Sequence, residues 1–373
     1  MNKVGYDAQA FLSANSGTGK GQHLKTLIGP FQEHFLGFAS TDPNPSGLPL
    51  IQEGRPGYTL WQQLSLPNSL RQHGMEVFLA PYNTAPLRLP RETRLILVLH
   101  DLILMEPHRK SRLKDRAVDA YRRLLVGPSV RRAEVVLTVS QYARSEILKR
   151  YPGTHVRVIP CTVPEAWFAA RPLEGRTGYL LMTTSSAPHK NAPGAIEAYA
   201  RYAAQAGQAT RPLHIVGMRK QADEYKPMLQ QAGVLDRVTF LPFLSESELI
   251  AQYQDAAALL FPSFSEGFGI PMLEAMATGT PILAARAASL PEVGGQAARY
   301  FDPHNIEEMA AVLGEVLGND AERERMAQQG FVELQRYTPE RVGAQVKAFW
   351  EEVASRGRGG VRQQPEMVPR SAR

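Results

Sequence analysis

A chain of 373 residues, 43% apolar and 21% charged, is long enough for two ordinary domains with separate cores, and its composition excludes a disordered or fibrous protein. The single cysteine, Cys161, excludes internal disulfides, and no apolar run approaches the ~20 residues of a membrane span or the pattern of a signal peptide, so a cytoplasmic protein is expected. The net charge of +6 is modest but uneven, concentrated between His108 and Arg116 and at Arg122, Arg123, Arg131 and Arg132.

Val4 to Leu12 reads as a first strand running into a loop, and a helical pattern follows to about Phe31. Between them, Ser16-Gly-Thr-Gly-Lys-Gly21 imitates a Walker A loop but fails it twice. Ala14 stands where the first glycine belongs, and Gly21 replaces the hydroxyl residue that would bind Mg²⁺. Glu33 to Ala39 reads as a strand and Thr41 to Gly57 as a Pro/Gly-rich loop. Glu76 to Pro81 and Arg94 to His100 are apolar runs of the kind buried in parallel sheets. His100 closes the second run, where open α/β sheets bind ligands, although a lone histidine there reads equally well as a satisfied structural residue. Lys110 to Val126 is helical and basic. No nucleic-acid motif accompanies its charges. Arg109, Lys110, Arg112 and Lys114 suit an anionic membrane or a lipid-linked phosphate, against the plainer reading of a solvated helix face. Val135 to Ser140 and Val156 to Pro160 complete the strands of a first domain, and periodicity is lost near Arg171 to Arg176, the expected linker.

Strand–helix alternation then restarts with strands at Tyr179 to Thr183, Leu213 to Gly217, Val238 to Leu241, Ala257 to Phe261 and Pro281 to Ala284, which argues a second parallel, doubly wound sheet. The fourth of these runs into Ser263-Phe-Ser-Glu-Gly-Phe-Gly-Ile-Pro-Met-Leu-Glu274, a turn with two glycines followed by a helix. Pro271 suits a helix start, while Gly279 and Pro281 mark its end. The amides of Gly267, Phe268 and Gly269 should converge at the positive helix end and form an anion site. Glu266 and Glu274 bracket that site and can hold hydroxyls, a combination that describes a sugar nucleotide. The plainer reading is a strand–turn–helix unit with an acid placed for the dipole. Further on, Asn305 to Leu317 and Thr338 to Val353 read as helices, the second with Phe349 and Trp350 near its end. The tail after Ser355 lacks apolar periodicity and is expected to be disordered.

The E-x7-E spacing with G-F-G-I-P between the acids resembles the signature of retaining glycosyltransferases of family 4, most like bacterial mannosyltransferases, and the resemblance runs from about Val4 to about Phe349. It implies an α/β protein of GT-B fold, two Rossmann-like doubly wound domains facing a cleft. Residues 1–172 would form the acceptor-side domain and 173–337 the nucleotide-sugar domain. Residues 338–355 would be a helix returning to the first domain, and 356–373 a tail. By the same resemblance the Gly19 amide faces the donor diphosphate, and His100, within H-D-L-I, lies beside the donor sugar. Ser140 and the helix from Tyr142 match the family as well. Thr184-Ser-Ser-Ala-Pro-His-Lys-Asn191 resembles the family's G-T-L-E-P-R-K-N, which gives Lys190 to the diphosphate. This chain departs there, with Thr184 for glycine, Ala187 for the acid and His189 for arginine, and no arginine lies between Thr177 and Arg201. Ala288 to Gly295 resembles a loop of S-S-L-P-E-V type.

Glu274 would hold the ribose hydroxyls, and Glu266 a sugar hydroxyl alongside the Gly267, Phe268, Gly269 and Ile270 amides. The resemblance also implies same-face attack, in which the leaving phosphate takes the acceptor proton and no protein nucleophile is needed. No cofactor or metal is expected, because the chain contains no D-x-D. The expected donor is GDP-mannose, or else a UDP-hexose, and the expected acceptor a saccharide or a lipid-linked sugar. A GT-B sugar-nucleotide epimerase and a non-catalytic sugar-nucleotide-binding protein stay open beside the transferase. A glycosidase is disfavoured because the acids flank a phosphate site.

Overall fold

A computed structural model of the chain describes residues 3–10, 19–40, 49–54, 57–105, 113–170 and 178–356. Two parallel sheets organise these residues. The first has the order β3-β2-β1-β4-β5-β6-β7, with β1 Val4–Asp7, β2 Phe35–Ala39, β3 Leu50–Gln52, β4 Val77–Ala80, β5 Arg94–Val98, β6 Val135–Thr138 and β7 Val156–Val158. The second has the order β10-β9-β8-β11-β12-β13, with β8 Leu180–Thr183, β9 Leu213–Val216, β10 Val238–Leu241, β11 Ala258–Phe261, β12 Ile282–Ala285 and β13 Ala298–Phe301. Central strands such as VFLA in β4, VVLT in β6 and ALLF in β11 are buried at every position, because helices cover both faces of a parallel sheet. The α/β class and the two Rossmann-like sheets expected from the sequence are therefore what the chain forms.

Several boundaries differ from the sequence expectation. The second strand begins at Phe35, not Glu33, because Gly29–His34 winds as a 3₁₀ segment led by Pro30. The Pro/Gly-rich stretch 41–57 contains β3, which pairs Leu50 with Gly37 and extends the sheet edge. The basic helix spans Leu113–Arg132, passing through Pro128 well beyond Val126. Helices Leu66–Gln72 and Asp320–Leu334, and strand β13, add elements that the sequence did not announce. The linker expected at 171–176 and the tail from 357 onward lie outside the described residues.

Helix Pro339–Ser355 starts at the N-cap Thr338, whose hydroxyl accepts from the Arg341 amide. It packs on the first sheet, not the second: Val342, Val346, Phe349, Trp350 and Val353 share one core with Val4, Tyr6, Leu27 and Phe35. The Trp350 indole donates to the Leu27 carbonyl at 2.8 Å, and its ring meets Phe35 edge-on. Arg157 and Glu352 pair at 2.9 Å beside it. Truncating a tryptophan buried in this way costs about 3–5 kcal/mol.

Candidate active site

In a doubly wound sheet, ligands gather outside the carboxyl ends of the strands where the order reverses. The reversal lies between β1 and β4 in the first sheet and between β8 and β11 in the second. The chain leaving β1 leads to the helix Gly19–Ile28, and β5 ends two residues before His100. The chain leaving β8 leads to Lys190, and β11 runs into the turn of Glu266. Topology alone thus gathers most of the residues singled out in the sequence.

Contacts complete the gathering. A β-carbon on Gly19 would come within 2.6 Å of Ile270 Cδ1, so the glycine lies against the second domain's turn. A β-carbon on Gly267 would come within 2.3 Å of the His100 carbonyl oxygen, so these two backbones touch. Lys190 Nζ donates to Glu266 Oε1 at 2.6 Å, with both side chains mostly buried. This ion pair goes beyond the sequence expectation, which gives each side chain to the donor alone.

Gly269, at φ 111°, caps helix Ile270–Ala277, a left-handed conformation that glycine adopts without strain. Pro271 occupies the first turn, and Gly279, at φ 66°, follows the helix end. The turn is braced from behind by hydroxyls that the sequence had not singled out for this purpose. Ser289 Oγ bridges the carbonyls of Glu266, at 2.8 Å, and Phe268, at 3.0 Å. Ser140, from the first domain, donates to the Gly267 carbonyl at 2.7 Å. With those carbonyls turned to hydroxyls, the amides of Gly267, Phe268, Gly269 and Ile270 have no protein partner among the described residues. They are free backbone donors at the start of helix Ile270–Ala277.

On the Lys190 side, Asn191 adopts a left-handed conformation at φ 52° and donates to the carbonyls of Pro262 and Pro303. Phe264 N donates to the His189 carbonyl at 2.8 Å, tying this loop to the signature turn. One turn into the helix, Glu274 receives a 2.7 Å hydrogen bond from Tyr253 on Oε2, and Tyr253 in turn meets Thr183 Oγ1 at 3.2 Å. Part of Glu274 remains accessible, but its carboxyl group is buried, and burial pushes its pKa up to about 7. Its Oε1 has no hydrogen-bond partner among the described residues. Among the described residues, no group of three or more His, Cys, Asp or Glu side chains is placed to hold a metal ion.

His100 is held at three points. Its amide donates to Asn83 Oδ1 at 3.2 Å, its carbonyl meets Gly267, and its Nε2 lies 3.2 Å from His23 Nδ1. His23 reaches the Ile159 carbonyl with its other nitrogen at 3.1 Å. Burial lowers the His23 pKa to about 4; burial first, then His23 and Lys20, holds His100 well below the ordinary histidine value. Both rings are therefore neutral near pH 7. His100 Nδ1 is buried and has no partner. Neither His23 nor Asn83 stood out in the sequence, since each acts only through a contact across the fold.

A cavity of about 420 Å³ opens beside Glu266 and Gly267, walled by Asp101 and Leu102 and by Tyr142 and Glu146 of helix Gln141–Arg150. The amides of Gln141 and Tyr142, at the start of that helix, donate to the Glu292 carboxylate of the second domain at 2.7 and 2.8 Å. Arg109, Lys110 and Arg112 lie outside the described residues, as does the side chain of Lys114.

Two sequence families match adjoining stretches: Glycosyltransferase Family 4 over residues 24–167 and Glycosyl transferases group 1 over 164–332. O-antigen chain mannosyltransferase B of Escherichia coli is 27% identical over 286 residues, 72% of each chain. An MMP alpha-(1->4)-mannosyltransferase of Mycolicibacterium hassiacum is 32% identical over 231 residues, 59% of this chain and 54% of that one. Among solved structures, HepE of Anabaena in complex with UDP and glucose superposes with a TM-score of 0.71 at 17% identity, over 94% of this chain and 100% of the other. With both sheets, the signature turn and these likenesses in agreement, the chain belongs to the family 4 glycosyltransferases of GT-B fold and resembles bacterial mannosyltransferases.

Proposed function

We propose that this glycosyltransferase moves mannose from GDP-mannose to a saccharide or lipid-linked acceptor with retention of configuration and without a metal ion. The observation that carries this reading is the meeting of Lys190 and Glu266 at 2.6 Å beside the unpartnered amides of Gly267 to Ile270. A cation and an amide array suit a diphosphate, and the adjoining carboxylate suits a sugar hydroxyl. Glu274 takes the ribose hydroxyls on Oε1, with Tyr253 fixing its other oxygen. Lys190 and the Gly19 amide meet charge that develops on the leaving diphosphate. Because they are fixed before reaction, they stabilise that charge without reorganisation. His100 offers Nδ1 to the sugar as a neutral acceptor. The leaving phosphate takes the acceptor proton, so Glu266 acts by binding and not as a nucleophile.

The resemblance to mannosyltransferases favours GDP-mannose, and a UDP-hexose is the second donor, supported by the UDP bound to HepE. The acceptor is placed in the cavity beside Glu266, whose rim carries Lys149 and Arg150 and suits a phosphate-bearing molecule. The basic run from Arg109 to Lys114 is read as a contact for an anionic membrane. The test is a screen of GDP- and UDP-sugars in excess EDTA, with the anomeric configuration of the product read by NMR. Transfer from GDP-mannose with retained configuration is expected. An inverted product overturns the same-face mechanism. Activity lost in EDTA and restored by Mn²⁺ overturns the charge assignment.

A further inference from the structure

The ring nitrogens of His23 and His100 form a chain with only one consistent placement of protons. A backbone carbonyl can only accept, so the nitrogen of His23 facing Ile159, Nε2, carries a hydrogen. Burial keeps His23 neutral, so its Nδ1 is a bare lone pair. Across the 3.2 Å contact, His100 Nε2 must then be the donor. His100 is neutral as well, which leaves its Nδ1 as a lone pair, buried and unpartnered. A buried acceptor left open in this way costs free energy unless a ligand donor fills it. The His100 amide, held by Asn83, fixes the main chain but not the ring.

We propose that His23 is a positioning residue that locks His100 in its Nε2–H tautomer, so that Nδ1 accepts a hydrogen bond from a hydroxyl of the donor sugar. The role rests on the placement of His100 beside that sugar. It assigns a task to a side chain buried in helix Gly19–Ile28, one that lies outside every sequence motif of the site. With the ring so placed, the other tautomer would direct an N–H at the hydroxyl and leave the two histidine lone pairs facing each other. Which nitrogen of a histidine is free is set by the bond that the other makes.

Two isosteres separate the halves of this relay. Asparagine places an oxygen where His23 Nδ1 stands and preserves the acceptor for His100. Glutamine places a nitrogen where Nε2 stands and preserves only the bond to Ile159. Both remove the ring, so a merely structural loss falls on both alike. Long-range ¹H–¹⁵N spectra of the full chain, with His100→Ala to assign the signal, report which His100 nitrogen is protonated. Steady-state kinetics with GDP-mannose run alongside.

Wild type and H23N are expected to show His100 protonated at Nε2. H23Q should show mixed tautomers, with kcat lowered about tenfold or more, as loss of an orienting partner typically does. Donor KM should change little, and H23N should recover most of the lost turnover. A His100 protonated at Nδ1 in the wild type overturns the proposal, as does an unchanged tautomer in H23Q. A changed tautomer in H23Q with undiminished kcat supports the lock but removes His100 from the donor sugar, so the two failures are distinguishable.

Discussion

Alanine at position 267 tests whether the two domains must touch at this point for chemistry. The added β-carbon would lie 2.3 Å from the His100 carbonyl oxygen and 3.1 Å from Asp101 Cβ, whereas ordinary contact begins at 3.4 Å. About 1 Å of separation is therefore required, and the obstructing oxygen belongs to a backbone that cannot rotate aside. The φ of Gly267 lies outside the left-handed range, so alanine's own conformation is not at issue. Parting the two loops also stretches the bond from Ser140 to the Gly267 carbonyl, a loss of about 1 kcal/mol. Misplacing reacting groups by 1 Å costs on the order of 100-fold in rate, equivalent to about 2.7 kcal/mol of barrier. Gly267→Ala should accordingly reduce kcat/KM for donor hydrolysis about 100-fold while lowering the melting temperature by only a few degrees. Gly343→Ala, in the last helix with nothing within 4 Å, supplies the control. It should leave kinetics untouched and add up to about 1 kcal/mol of stability. A G267A enzyme within twofold of wild type would refute the reasoning.

Burial raises Glu274 to about 7, above its unfolded value, so the folded state keeps a proton that the unfolded state gives up at lower pH. Its contribution to stability is complete below the unfolded value and is lost as pH rises through about 7. Ribose hydroxyls need the carboxylate, so donor KM should fall about tenfold between pH 6 and 8, and Glu274→Gln should flatten that profile. Parallel profiles in both proteins would assign the titration elsewhere. Lys190→Ala should lower kcat at least about tenfold, roughly 1.4 kcal/mol, because it removes the cation from the diphosphate and leaves Glu266 unpaired. A loss confined to KM would make Lys190 a binding residue only.

What could be read from the sequence was whatever lies close together along the chain. Glu266, Gly269, Pro271 and Glu274 fall within one strand–turn–helix unit, and their spacing carries both the local geometry and the chemistry. Strands of continuous apolar residues were legible because a parallel sheet buries both faces. The edge strands β3 and β13 were not. Leu50–Gln52 is three residues in a Pro/Gly-rich stretch, and Ala298–Phe301 carries Arg299 in a half-buried pattern. The contacts that hold the site together were hidden for a different reason. His23 meets His100 across 77 positions, Ser140 meets Gly267 across 127, and Lys190 meets Glu266 across 76. Side chains of these types are common in helices and loops, and only the fold shows which of them are committed.

The helix that carries Trp350 also bears on how the chain comes into being. Its indole closes on the Leu27 carbonyl 323 positions upstream, so the first domain lacks a wall of its core until residues 339–355 have been made. The second sheet draws all its strands from residues 180–301 and can assemble while that wall is still missing. Order of synthesis and order of completion therefore run in opposite directions. A nascent chain stalled before Pro339 would present an open apolar trough along Leu27 and Phe35, the kind of surface that chaperones and proteases detect.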